Sequence, residues 1–326
     1  MDSPAGRPAL SEFDLISRYF TRAPRHTVLG VGDDAALLSV TPGNELAAST
    51  DMLVEGVHFF ADVDPRALGH KALAVNLSDL AAMGAVPRWA MLSLALPDVD
   101  AVWLEGFSRG FFALADKHGV DLIGGDTTRG PRNICVQIMG EVAPGKALRR
   151  DGAKIGDDIW VSGQLGDAAA AVAHRHGELN LEPAALERCR ARLDWPTPRI
   201  ALGLELGALA HSAIDVSDGL LGDLAHICER SGVGAQVEFS AVPCSADLRP
   251  LRDQERVGRA ILAGGDDYEL CFTAVPGLAP EIEALSVTLD IALTRVGRII
   301  NGKQVAVLDA GGRLRPVKDK GFDHFR

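Results

Sequence analysis

Apolar and polar positions along this chain switch repeatedly between helical and strand periods. In residues 13–20 (FDLISRYF) apolar side chains fall at helical spacing, and Glu12 and Asp14 suit the first turn of a helix. Residues 28–40 are apolar but broken by a Gly-Asp turn, and residues 46–59 read as a second strand region with Ser49-Thr50-Asp51 at its centre. Residues 65–83 read as a helix that Pro65 opens and Gly84 closes. A strand is expected at 88–96, a helix at 101–118 ending on Gly119, a short strand at 120–123 running into a Gly-Gly-Asp turn, and another strand at 133–142.

The composition then shifts. Residues 144–156 are rich in Gly, Lys and Arg and read as a link. Beyond it the pattern predicts strands at 157–162, 213–216, 235–239 and 268–274, and helices at 166–174, 182–193, 198–210 and 219–230. Residues 294–300 and 304–308 read as a hairpin about Asn301-Gly302. The whole is an α+β chain of two α/β domains, 1–150 and 151–326. No short-period repeat is visible, although both halves place an acidic turn after a short strand, at Asp126 and at Asp218.

With 326 residues, 47% of them hydrophobic, the chain can bury a substantial core. Its net charge of −11, without a basic stripe, argues against nucleic acid as a partner. The five cysteines are scattered and form no CxxC pair, which fits reduced thiols in a cytoplasmic protein. Pro and Gly interrupt residues 1–10, where a signal peptide needs an apolar run, and no stretch approaches the roughly 18 apolar residues of a membrane span.

The candidate chemistry lies in aspartates placed where strands or glycine turns meet a ligand: Asp33-Asp34, Asp51, Asp79, Asp126, Asp215, Asp218 and Asp266-Asp267. Carboxylates gathered into one cleft repel one another. Hard divalent cations relieve that repulsion, and an all-oxygen ligand set suits Mg²⁺ and hence phosphate chemistry. Taken singly each acid has an ordinary reading. Asp33-Asp34 could be a plain turn, Asp79 could face solvent or bond Lys71 or Arg88, and Asp218 could cap the helix that follows it. Asp51 lies within an apolar run, where an unpaired carboxylate is costly.

Gly30-x-Gly32-x-x-Ala35 imitates a dinucleotide fingerprint but fails it. Asp33 and Asp34 sit where a pyrophosphate needs bare amides, and Pro42-Gly43 stops the helix that should follow. Neither a Walker A loop nor the protein-kinase HRD and DFG segments occur. Gly124-Gly125-Asp126-Thr127-Thr128 combines glycines, which permit close backbone approach, with an acid and two hydroxyls. His58 is the histidine best placed to see a substrate, and an arginine of Lys146–Arg150 could reach a phosphate.

Read together and in order, GVGDDAALL, STDMLVEGVHF, KALAVNLSDLAAMGA, LIGGDTTRG, IDVSDGLLGDLAHI, GGDDYELCF and KGFDHF resemble the thiamine-monophosphate kinase family. The likeness runs from about residue 12 to the carboxyl terminus. It implies phosphorylation of thiamine monophosphate by ATP in a homodimer, with several Mg²⁺ ions in an active site between the domains. It also implies amino-terminal strands that build a β-barrel at the dimer interface. Carried onto matching positions, it makes Asp34, Ser49, Thr50, Asp51, Asp79, Asp126, Asp215 and Asp218 metal ligands, with Asp51, Asp79 and Asp126 central to catalysis. Gly125, Asp126, Arg150 and Ser217 become ATP contacts, and His58, Asp266 and Phe322 thiamine-monophosphate contacts. The family often has glutamate where this chain has Asp266, and a larger polar aromatic where it has Phe322.

Sibling synthetases making aminoimidazole ribonucleotide or selenophosphate are the nearest rivals. A selenophosphate synthetase needs a reactive Cys or Sec in a glycine-rich amino-terminal segment, whereas the first cysteine here is Cys135. A non-catalytic Mg-nucleotide-binding regulator is the rival from another class, and the full set of acids speaks against it.

Overall fold

Residues 12–317 and 321–322 are described in a computed structural model. The remainder of the KGFDHF motif and residues 1–11 lie outside the described residues. The first helix, α1 (Glu12–Leu15), passes into a π-helical turn at Ile16–Phe20. Strands β1 (Thr27–Leu29) and β2 (Leu37–Leu38) pair antiparallel around the Gly-Asp segment. The approach to β1 is pinned by Asp121, whose carboxylate accepts from the N–H of Arg25 and His26 and from the Thr27 hydroxyl. Burial pushes that carboxyl up, but these donors prevail and hold it below the usual carboxylate range.

Next come β3 (Glu45–Val54), α2 (Pro65–Ala82), β4 (Val86–Leu96), α3 (Ala101–His118), β5 (Asp121–Arg129) and β6 (Asn133–Val142). The strands form an open four-stranded sheet in the order β3-β6-β4-β5, with β4 and β5 parallel. Helix α3 starts on Asp100, which accepts from Val102 and Trp103 N–H, and stops at Gly119 in the left-handed region, as its pattern predicts. Helices α2 and α3 cross at glycines. A Cβ on Gly69 would lie 2.0 Å from Phe107 O, and one on Gly110 would lie 1.8 Å from Arg66 O.

Sequence expectations for two strand connections need correction. Residues 124–128 are not a turn. The strand continues through them as β5, in parallel register with Met91 to Ala95 of β4. Glycine is required because a Cβ on Gly125 would sit 1.7 Å from Leu92 O.

The second concerns the carboxyl-terminal hairpin. Following β7 (Asp158–Ser162) come α4 (Asp167–Arg175), α5 (Pro183–Asp194), α6 (Ile200–Leu206), β8 (Ser212–Val216), α7 (Leu220–Ser231) and β9 (Gly234–Glu238). Then follow α8 (Glu255–Ala263), β10 (Glu269–Ala274), α9 (Ala279–Leu289), β11 (Leu293–Ile300) and β12 (Val305–Leu308). The six-stranded sheet runs β12-β9-β11-β7-β10-β8, so β9 is inserted between the two strands of the expected hairpin. It pairs antiparallel with β11 and parallel with β12. The expected helix at 198–210 is shorter, and α8 and α9 join the expected elements. Strands β7, β8 and β10 are buried throughout, and Trp160 stacks on Phe272 between β7 and β10.

By compactness the chain divides into two units. One comprises residues up to 41, 48–76 and 87–139; the other comprises 42–47, 77–86 and 140 onward.

Candidate active site

In the first unit a cavity of about 940 Å³ is lined by Asp33, Asp34, Gly125, Asp126 and Thr127 together with Phe20, Met91 and Met139. Asp34, Gly125 and Asp126 therefore share one cavity. Among the described residues that line it there is no Lys, Arg or His, so its acidic rim has no protein counter-charge of its own. The Asp33 carboxylate accepts from Asp34 N–H at 2.9 Å, and Asp34 is exposed.

On β3, Ser49 and Asp51 are half-buried and Thr50 is exposed, the alternation of a strand. The Thr50 hydroxyl donates to Val136 O across the strand pair at 3.1 Å, on the face opposite Ser49 and Asp51. His58 closes a tight turn after β3: its Nδ1 accepts from Val54 N–H at 3.0 Å, which fixes the neutral ring with its proton on Nε2.

The second unit gathers five of the expected site residues around two loops. Asp215, at the end of β8, is buried and accepts from Ser78 Oγ at 2.8 Å; Ser78 adjoins the half-buried Asp79 on α2. Ser217 and Asp218 follow β8. The loop 264–268 lies against them: Asp266 N–H donates to Ser217 O and Tyr268 N–H to Val216 O, both at 2.8 Å. Phe322 N–H donates to Asp218 O at 3.0 Å, and its ring is exposed. Asp266 and Tyr268 adopt φ of 70° and 50°, a left-handed conformation unfavourable for either residue. The Tyr268 hydroxyl donates to the Asp266 carboxylate at 3.1 Å. Arg150 is exposed, and its carbonyl accepts from Ser231 Oγ.

Asp218 does not cap α7. The helix begins on Gly219 without a side-chain cap. Asp223, inside the first turn, does that work: its Oδ2 accepts from the N–H of Ser217, Asp218 and Gly219, each at 3.1 Å. Burial, and then the neighbouring Asp218 charge, push the Asp223 carboxyl up to about 7 against these donors. A second anchor is Asp267, whose carboxylate turns inward and accepts from Gly166 N–H at 2.9 Å; burial holds it well above the usual carboxylate range. Glu269, at the start of β10, is buried and paired with Arg199 and Arg192. Sequence reasoning missed Asp223 as a functional residue. Its signal is an acid on the helix face shared by Leu220, Leu224 and Ile227, all buried.

Among the described residues, no three His, Cys, Asp or Glu side chains converge in a geometry that holds a metal ion. The donors present are carboxylate, hydroxyl and carbonyl oxygens, the chemistry that magnesium takes.

Models of the AIR synthase related protein match both halves, the N-terminal domain over residues 32–142 and the C-terminal domain over residues 154–310. Fold and site thus define a member of that class. The chain is 45% identical to thiamine-monophosphate kinase of Escherichia coli K12, over 97% of this chain and 99% of that protein. It is 42% identical to the enzyme of Haemophilus influenzae, over 98% and 99%. The crystal structure of thiamine-monophosphate kinase from Stenotrophomonas maltophilia K279a superposes with a TM-score of 0.82 at 52% identity, covering 86% of this chain and 91% of that one. AaThiL complexed with AMPPCP and TMP superposes at 0.76 and 31% identity, with 97% of each chain covered. The chain belongs to the thiamine-monophosphate kinase family.

Proposed function

We propose that the protein transfers the γ-phosphoryl group of ATP to thiamine monophosphate, giving thiamine diphosphate and ADP. Kinship over nearly the whole chain with thiamine-monophosphate kinases, one of them solved with AMPPCP and TMP, carries this reading. The acceptor is a phosphate monoester oxygen, already anionic and nucleophilic, so no general base is required. The task left to the protein is to align two anions that repel each other.

Gly125 brings the β5 main chain close to the nucleotide, while Ser217 Oγ and the exposed Arg150 guanidinium contact its phosphates. His58 offers its Nε2 proton to the acceptor substrate. Asp266, braced by Tyr268, takes the thiamine side, and the Phe322 ring stacks on its cationic or aromatic portion. The residues that would hold Mg²⁺ are Asp34, Ser49, Asp51, Asp79, Asp126, Asp215 and Asp218, with Thr50 joining through its main-chain oxygen because its hydroxyl is turned onto β6. Magnesium, when bound, supplies the positive charge that screens the two phosphates and steadies the leaving ADP. In this reading residues 1–150 bind nucleotide and metal and dimerise, and residues 151–326 complete the site. The exposed Met52 side chain on edge strand β3 of the four-stranded sheet supports a homodimer that covers this edge.

The test is conversion of thiamine monophosphate by Mg-ATP, followed by chromatography, with thiamine and formylglycinamidine ribonucleotide as parallel acceptors. Thiamine diphosphate should form from thiamine monophosphate alone. Asp51→Asn and Asp126→Asn should each lose most activity and stay folded; wild-type turnover in both would refute the metal assignment.

A further inference from the structure

We propose that Asp223 is a positioning residue for phosphoryl transfer: its carboxylate, buried one turn inside α7, fixes the 217–219 loop that carries Ser217 and Asp218 to their ligands. The inference rests on the kinase reading above and extends it to a residue outside the expected site set.

Three successive amides, of Ser217, Asp218 and Gly219, point at one oxygen, Asp223 Oδ2. Amides ahead of a helix are where an anionic ligand such as a phosphate ordinarily binds. Here the chain's own carboxylate fills that place. The opposite edge of the loop is committed as well: Val216, Ser217 and Asp218 carbonyls accept from Tyr268, Asp266 and Phe322 N–H. With donors and acceptors of its main chain both engaged, the loop can offer a ligand its side chains but not its amides. One buried acceptor therefore orients Ser217 and Asp218. The fold keeps this acid only 3% exposed and beside the like charge of Asp218. That arrangement is unfavourable in itself, and the three hydrogen bonds offset it.

The experiment compares Asp223→Asn, whose amide oxygen can still accept all three N–H bonds, with Asp223→Ala, which cannot. Circular dichroism and thermal melting establish that each is folded. D223A should lower kcat/KM for ATP by about 30-fold or more while the KM for thiamine monophosphate moves less than about threefold, and D223N should stay within about fivefold of wild type. Titration calorimetry with Mn²⁺ and a non-hydrolysable ATP analogue should show affinity weakened about tenfold in D223A and retained in D223N. In the wild-type protein, hydrogen exchange should find the amides of residues 217–219 protected without ligand, a measurement open even if D223A does not fold. Unprotected amides, equal losses in the two variants, or a D223A protein with wild-type ATP kinetics and Mn²⁺-nucleotide affinity would each overturn the inference. Wild-type protein that makes no thiamine diphosphate would instead strike the proposed function, while the exchange and calorimetry still decide on Asp223.

Discussion

Strand β5 and the loop after β8 carry the same chemistry, a glycine, an aspartate and hydroxyls, yet they are held in different ways. In β5 the parallel ladder to β4 fixes the main chain, so Asp126 is placed by register alone. The loop at 217–219 has no ladder, and a buried carboxylate gathers its amides instead. Asp126 needs only a ladder beside it; Ser217 and Asp218 need a second, hidden acid. The first arrangement fails through sterics and the second through hydrogen bonding.

The most damaging change to the strand side is Gly125→Val. Its Cβ would lie 1.7 Å from Leu92 O at a φ of +150° that only glycine adopts readily, so the variant should give no folded protein on expression and circular dichroism. A soluble, active G125V protein would remove the steric half of the contrast. On the loop side, Ser78→Ala takes a donor from buried Asp215 and should lower stability by about 2 kcal/mol in urea unfolding, with a clear loss of activity. A smaller effect is expected from Tyr268→Phe: without its hydroxyl on the Asp266 carboxylate, the KM for thiamine monophosphate should rise about threefold to tenfold while kcat holds. Unchanged KM would mean that backbone conformation alone sets Asp266.

The mildest test concerns pH. Burial first, then Lys117 and His70, lower the His118 pKa from 6.5 to about 4. Between these values the unfolded chain binds the proton that the folded chain refuses, so stability falls as pH drops from about 6.5 towards 4. Replacing His118 by Gln should flatten that part of the melting-temperature profile.

Local signals revealed what is decided locally. Pro65, Gly84 and Gly119 mark the ends of α2 and α3 because capping and left-handed glycine depend on adjacent residues. Gly124-Gly125 misled for the opposite reason. As a pair it reads as a turn, but the demand for glycine comes from Leu92, more than thirty residues away. Asn301-Gly302 likewise reads as a hairpin turn, while β9, far upstream, separates the strands it joins. The site followed the same rule. Its acids stood out as repeated short acidic segments, and the resemblance they carry led to the family. Asp223 stayed hidden because its importance lies in three amides that only the folded loop turns towards it, and the inward turn of Asp267 onto Gly166, about a hundred residues away, is no more legible in the sequence.

The insertion of β9 also bears on self-association. The six-stranded sheet terminates at one side on β12, its shortest strand, four residues long. A brief border offers few open amides and carbonyls to a passing chain, a common defence against aggregation. Trimming the chain before residue 305 would strip that guard and bare the margin of β9, turning a quiet boundary into an adhesive one.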